Sequence, residues 1–487
     1  MNKCLLFNVG GGGMLMRNSG AYRIATVLRE NNWDTEVIDW VSYWSLDQLK
    51  QLCKQRIDQD VKFIGFSYLF VDEPISIIEE FGTWFKLTFP SIKILLGAPN
   101  KWRFPNKYVD YNIHGYGELA LLELLKYLFS NGTAPRFNLM THSGKSISAN
   151  EMYPSYPMAS LLIKYENRDF VQSHEWLGIE FSRGCKFACA FCNYPVIGVK
   201  GDHTRDADDF EYHVRDAYDR FGVTNYYVAD ETFNDRTEKI TKFADVVERL
   251  PFDPFFTATL RADLLINRPA DKEELLRMNM LAQLYGVESF NTPSAKSIGK
   301  GMDSTRMKAG LIDIRKYFET HGSKRYRGTV SLIAGLPHET VDTLRQSKQW
   351  LLDYWQGHAF NILPLEIPIS EYDTPSKIGL DWKKYGYEDA SDDPKFIDLK
   401  QRNLITSHRL LIWKNEHMDV GVAHDLYREI ESIKTEEGND FRINNFSIVR
   451  LGLPDGLDDR LAVTEKQKPP PVPYDFLNSY INNKLDL

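Results

Sequence analysis

Three of the five cysteines in this 487-residue chain crowd into one short run, Cys185-Lys-Phe-Ala-Cys189-Ala-Phe-Cys192. Three thiolates on one loop can ligate three irons of a cubane iron–sulfur cluster and leave the fourth iron open to a small molecule. An open coordination position separates a working metal centre from a sealed structural one. The same thiolates could instead hold zinc, with His174 or His203 as the fourth ligand. The other two cysteines, Cys4 and Cys53, stand alone, too few for a second cubane. An odd count argues against a disulfide framework, and the opening Met1–Phe7 reads as a strand, since its apolar part ends at Asn8 and a run of glycines. A reducing cytoplasmic location is expected.

Composition narrows the partners. Hydrophobic residues at 43% and charged residues at 26% are those of a folded globular chain. A net charge of −8 lacks the basic field that accompanies tight phosphate-backbone binding, so no nucleic acid is expected. No apolar run approaches the ~18 residues of a membrane span, so no membrane insertion is expected either.

The elements that must hold the cysteines alternate strand and helix. Over residues 1–130, strands near Lys3–Val9, Thr35–Trp40, Phe63–Tyr68, Ile92–Leu96 and Asp110–His114 predict a five-stranded doubly wound parallel sheet. Glycines follow its strand ends: Gly10, Gly11 and Gly12, then Gly97, then Gly115 and Gly117. Ligands of such sheets bind beyond the carboxyl ends of the strands, where glycine lets backbone come close. Residues 131–173 read as a linker. A second alternation over 174–370, with strands near Leu177–Ser182, Thr224–Asp230, Phe255–Leu260, Leu281–Val287, Thr329–Ala334 and Phe360–Leu365, predicts an incomplete (β/α)6 barrel with its chemistry at the carboxyl ends. Its helix from Asp235 has Glu238 as the expected capping-box partner. Residues 371–487 are expected to be mainly helical, with helices around Asp398–Lys414 and Asp425–Lys434 and an extended proline-rich tail.

Cys185, Cys189 and Cys192 have the spacing of the radical S-adenosylmethionine (SAM) family, and Phe191 matches its aromatic before the last cysteine. Tyr227–Glu231, Leu260–Asp263, Gly286–Ser289 and Gly335–Thr340, each after a barrel strand, resemble the family's order. The likeness runs over roughly Trp176 to Leu365. It implies a 4Fe-4S cluster whose open iron is chelated by SAM, reductive cleavage to a 5'-deoxyadenosyl radical, and an electron donor such as flavodoxin or ferredoxin. It also implies SAM contacts from Asp230 or Glu231 to the amino group, from Arg261 to the carboxylate, and from Glu288 to ribose or the amino group, with Gly335 at a further cofactor-binding strand end.

The amino-terminal domain resembles the cobalamin-binding domain of one branch of that family. Ser67-Tyr68-Leu69 matches a Ser-x-Leu motif, Gly97-Ala98 stands at the Gly-Gly position, and Gly115-Tyr116-Gly117-Glu118 matches the domain's usual close. The Asp-x-His-x-x-Gly motif is absent, its place taken by Asn8 to Gly13. The resemblance therefore implies cobalamin without a histidine lower ligand, and His114 is the nearest stand-in. The expected activity is methylation of an unactivated centre in a small molecule or peptide. Non-methylating radical chemistry and a zinc-stabilised scaffold are the rivals.

Overall fold

The computed structural model describes residues 1–9, 17–68, 75–98, 108–139, 145–149, 162–194, 203–323, 326–368, 376–396, 410–434 and 474–487. Gly10, Gly11, Gly12, Leu69 and the proline-rich tail lie outside these residues.

The first sheet contains β1 (Asn2–Val9), β2 (Trp33–Ile38), β3 (Val61–Tyr68), β4 (Lys93–Ala98), β5 (Tyr111–His114), β6 (Asn138–Leu139) and β7 (Lys145–Ser148), ordered β2-β1-β3-β4-β5-β7-β6. Only the β6–β7 pair is antiparallel. Central strands such as β1 are buried on both faces, which is why Leu5-Leu6-Phe7 is continuously apolar. Helices α1 (Ser19–Glu30), α2 (Leu46–Arg56), α3 (Ile75–Thr88) and α4 (Glu118–Phe129) cover the sheet. Ser45 and Gln48 close a capping box at the start of α2. The linker expectation fails at Asn138–Leu139 and Lys145–Ser148, since β7 pairs in parallel with β5 and Ile147 enters the core. The polar Lys145-Ser146-Ile147-Ser148 carries too weak an alternation to announce a strand.

The second sheet, ordered β15-β14-β13-β12-β11-β8, is wholly parallel and forms the open barrel. Its strands are β8 (Trp176–Ile179), β11 (Asn225–Val228), β12 (Phe255–Arg261), β13 (Met280–Glu288), β14 (Arg327–Ala334) and β15 (Ala359–Pro364). A short antiparallel pair, β9 (Ser182–Arg183) with β10 (His203–Thr204), flanks the cysteines. Helices α5 (Ala207–Phe221), α6 (Thr237–Glu248), α7 (Ala262–Asn267), α8 (Asp271–Arg277), α9 (Thr292–Ser297), α10 (Ser304–His321) and α11 (Val341–Tyr354) wrap it. Phe210, Val214 and Ala217 bury one face of α5 at helical spacing. The expected capping box of α6 does not form. Its N-cap is Arg236, and Asp235 instead forms an ion pair with Lys239 at 2.6 Å.

Beyond the barrel lie α12 (Lys377–Leu380), β16 (Glu388–Asp389), β17 (Trp413–Lys414), α13 (Val420–Lys434) and α14 (Tyr474–Asp486). Trp413 and Lys414, expected in a helix, pair as a strand with β16; residues 398–409 of that expected helix lie outside the described residues. This region packs into the two domains. Tyr387, Ile412 and Trp413 join an apolar core that runs from Leu6 of β1 and Ala21 of α1 through Phe181, Phe210, Phe243 and Phe256 of the barrel. Leu477, Tyr480 and Ile481 of α14 close the core on the other face of the first sheet.

The joint between the domains centres on Arg17, fully buried. Its Nε and Nη2 donate to Glu175 at 2.5 and 3.0 Å, Nη1 to Tyr22 Oη at 2.6 Å and the Asp169 carbonyl at 2.9 Å, and Nη2 to the Phe170 carbonyl at 3.1 Å. All five guanidinium protons are thereby used. The guanidinium stacks 4.5 Å from the Trp40 ring and 5.5 Å from that of Tyr480 on α14.

Candidate functional site

The cysteines follow β9 on a loop fixed from several sides. Gly184 turns the chain at φ +100°. Ala190 N donates to the Ile298 carbonyl at 3.0 Å, Ile378 N to the Ala190 carbonyl at 3.0 Å, and Lys377 Nζ to the Ala188 carbonyl at 2.9 Å. Phe191 packs against the main core. Cys189 is buried, whereas Cys185 and Cys192 are half-buried. Burial pushes the Cys192 thiol up to about 11, reinforced by Cys189, Cys185 and Glu288. The Cys192 sulfur therefore senses the other two, and a positive charge beside it would favour its thiolate form.

Arg261, at the end of β12, does not wait open for a carboxylate. Its Nε and Nη2 hold Asp263 at 3.0 and 2.7 Å, Nη1 reaches Cys189 Sγ at 3.5 Å, and the group lies 4.1 Å over the Phe187 ring. It is placed to offset thiolate charge. Asp230 is also committed, accepting from Phe181 N at 2.8 Å and Ser182 Oγ at 2.7 Å, with Lys239 at 3.7 Å. It fixes the strand end and has little capacity left for a ligand. Glu288, at φ +69°, forms an ion pair with Lys300 at 3.1 Å. Gly335 has φ +102°, and a Cβ there would stand 2.2 Å from the Trp413 ring, while Tyr387 Oη donates to its carbonyl at 2.7 Å. Only glycine fits that strand end.

Neither histidine completes a zinc site. His174 precedes β8, at the end opposite the cysteines, with its ring 5.5 Å from Phe476. His203 pairs with Arg183 in the β9–β10 ladder. Among the described residues no three His, Cys, Asp or Glu side chains form a group that could hold a metal ion. Three thiolates on one loop are the donor set of a cubane with one iron left open.

Behind the loop lies a cavity of about 410 Å³ between the carboxyl ends of the two sheets. Ser67, Gly97, Gly115 and Gly117 line it from the first domain, and Tyr227, Ala229 and Glu231 from the barrel. His114 does not line it, whereas its neighbours Ile113 and Gly115 do, as the alternation of a strand requires. Polar groups join cavity to cysteines. Tyr116 and Tyr194 share a hydrogen bond of 2.7 Å, Tyr116 Oη lies 3.4 Å from Glu231, and Gly184 N donates to Tyr194 Oη at 3.2 Å. Arg183 donates to Glu118 at 2.6 Å and to Glu180 at 2.8 and 3.0 Å, with its guanidinium 4.1 Å over Tyr116. Tyr116 and Glu118 sit inside the Gly-Tyr-Gly-Glu motif, the only signal that could have found them.

Burial pushes the Glu231 carboxyl from 4.5 up to about 8, helped by Asp230 and Glu180. A carboxyl raised on folding contributes stability that is full below 4.5 and is lost as pH rises through about 8. The melting temperature of the protein, scanned from pH 5 to 9, should therefore fall relative to that of Glu231→Gln. Parallel curves would refute a neutral carboxyl at this wall.

Parallel-strand barrel, cysteine loop and strand-end turns together define a radical SAM domain, and residues 179–351 match the family model of the Radical SAM superfamily. The chain carries that domain behind a doubly wound one. Among solved structures it is similar to the radical S-adenosylmethionine methyltransferase TsrM from Kitasatospora setae with tryptophan substrate and a SAM analogue bound. The TM-score there is 0.64 at 13% identity, over 85% of this chain and 86% of that one. It is also similar to the cobalamin-dependent S-adenosylmethionine radical enzyme OxsB with aqua-cobalamin and SAM bound, with TM-score 0.57 and 18% identity over 79% of this chain. The matched region spans 56% of the OxsB chain. At these identities the likeness is one of fold. No curated protein matches the chain by sequence. Among the described residues no helix is long and apolar enough to cross a membrane.

Proposed function

We propose that this chain cleaves SAM reductively at a 4Fe-4S cluster held by Cys185, Cys189 and Cys192, and that it is a cobalamin-dependent methyltransferase. Its substrate would be a small molecule or peptide with an unactivated centre, and its electrons would come from a flavodoxin or ferredoxin. The observation that carries this reading is the cavity of about 410 Å³, which opens at the carboxyl ends of both sheets and is lined by Arg183 and Tyr194, the residues that flank the cysteine loop. When bound, the cluster would supply the electron for carbon–sulfur cleavage and the corrinoid the methyl group.

The chain's own residues account for the rest. Arg261 balances charge at Cys189. The Tyr116–Tyr194 hydrogen bond ties the strand-end turn of the first domain to the cysteine loop, fixing the two sites against each other. Leu6, Phe66, Leu96, Ala98 and Ile113 give the cavity an apolar wall that keeps water from reactive species.

The test is anaerobic production with iron, sulfide and hydroxocobalamin, followed by iron and corrinoid analysis and product assay with SAM and reductant. Iron, bound corrinoid, and both 5'-deoxyadenosine and S-adenosylhomocysteine are the expected result. Deoxyadenosine alone, without bound corrinoid, would select non-methylating radical chemistry. A colourless protein with stoichiometric zinc would overturn the reading.

A further inference from the structure

We propose that Arg23 is the polar anchor of the cavity and binds acceptor oxygens of the corrinoid, an inference that rests on the reading of the cavity given above. Arg23 lies on α1, in the cavity wall, and is 2% exposed. Its Nε, Nη1 and Nη2 are all buried without a hydrogen-bond partner. The nearest carboxylates, Glu118 and Glu180, stand 3.6 Å from Nε, beyond hydrogen-bonding distance, and both are already engaged by Arg183.

A guanidinium carries five donors, and burying them unmet is costly. Arg17 meets that demand with five bonds in the same fold; Arg23 meets it with none. Burial depresses its pKa to about 9, with Arg183 and Arg205 pushing the same way and Glu180 and Glu118 opposing. The group is held charged by two carboxylates that leave its protons unused. A corrinoid presents complementary chemistry, carbonyl oxygens of the ring carboxamides and phosphoryl oxygens of the nucleotide loop. Either accepts from a guanidinium, the phosphodiester in the stronger, charge-assisted way.

The experiment is an absorbance titration of corrinoid-free full-length protein with aquocobalamin and with cobinamide, which lacks the nucleotide and its phosphodiester. Arg23→Met should weaken aquocobalamin binding by about 10- to 100-fold, the size of a hydrogen bond to a charged group. Arg23→Lys, with the charge kept and the fork lost, should fall between and carries the test should the methionine variant not fold. Weakening for aquocobalamin alone assigns the phosphodiester; equal weakening for both corrinoids assigns the ring carboxamides.

Corrinoid affinity, read beside the melting of the corrinoid-free variants, separates anchoring from scaffolding. Arg23→Met takes a cation away from Glu118 and Glu180, which then keep Arg183, so melting should fall, and corrinoid affinity is the readout that a purely structural role would not move. A lower melting temperature with unchanged corrinoid affinity would overturn the assignment and make Arg23 a structural ion. Should the unaltered protein bind neither corrinoid, the cofactor reading of the cavity falls first. Should it bind both with Arg23→Met no weaker, only the role of Arg23 falls.

Discussion

Replacing Cys185, Cys189 or Cys192 singly by alanine should reduce SAM cleavage by more than a hundredfold and strip the protein of its iron–sulfur absorbance. Changing a mere supporting residue of a metal site costs about 10- to 100-fold in affinity or activity, and a direct ligand must cost more. No described neighbour can replace a lost sulfur, since Asp230 is committed to Phe181 and Ser182, and Glu288 to Lys300. Cys53→Ala is the matched control. That thiol is buried, and desolvation raises its pKa strongly, so it is an inert packing group. Cys4, hydrogen-bonded to Thr35 at 3.3 Å and pushed up to about 12, behaves likewise. Iron content and deoxyadenosine yield should separate the trio from the pair. Full turnover in any one of the trio variants would remove the cluster from the mechanism.

The contrast between those two groups of cysteines is also a measure of what the sequence discloses. The trio is local, so its spacing alone carries the chemistry. The central strands of both sheets are legible too, since a strand buried on two faces reads as an apolar run, as in Phe63-Ile64-Gly65-Phe66, whereas the polar β7 near the sheet's edge is not. Other features depend on residues far apart in the chain, and no window of sequence contains them. Asp39 N donates to Tyr480 Oη across 441 positions, and Arg17 reaches Glu175 across 158. The expected ligand roles of Asp230 and Arg261 meet the same limit. A strand-end carboxylate looks available until Ser182 is seen to occupy it, and Arg261 looks open until Asp263 is found in its fork. Gly335 was visible as a strand-end glycine, but the cause, the Trp413 ring against its α-carbon, comes from the polar carboxyl-terminal stretch.

Arg17 is where that long-range order is most exposed to a single substitution. Removing one partner of a buried ion pair leaves the other charge in a medium that cannot solvate it, at a cost of about 3–5 kcal/mol. Arg17→Ala would strand Glu175 in this way, and Asp39, whose carboxyl lies 3.8 Å from Nη1, would lose its nearest cation. It would also leave the Asp169 and Phe170 carbonyls and the Tyr22 hydroxyl without their donor. A fall in melting temperature of roughly 5–10 °C is expected. Arg17→Lys should recover only part, because an ammonium has three donors on one point and cannot span five acceptors. Tyr480→Phe, which deletes a single hydroxyl that accepts from Asp39 N at 2.9 Å, should cost only about 1 kcal/mol. The decisive comparison is Arg17→Met combined with Glu175→Gln. If the cost of the single change is a stranded charge, neutralising Glu175 must return a large share of it, and the double variant will melt well above the sum of the singles. If the two changes simply add, Arg17 acts through packing against Trp40 and Tyr480, and the joint between the domains is apolar rather than ionic.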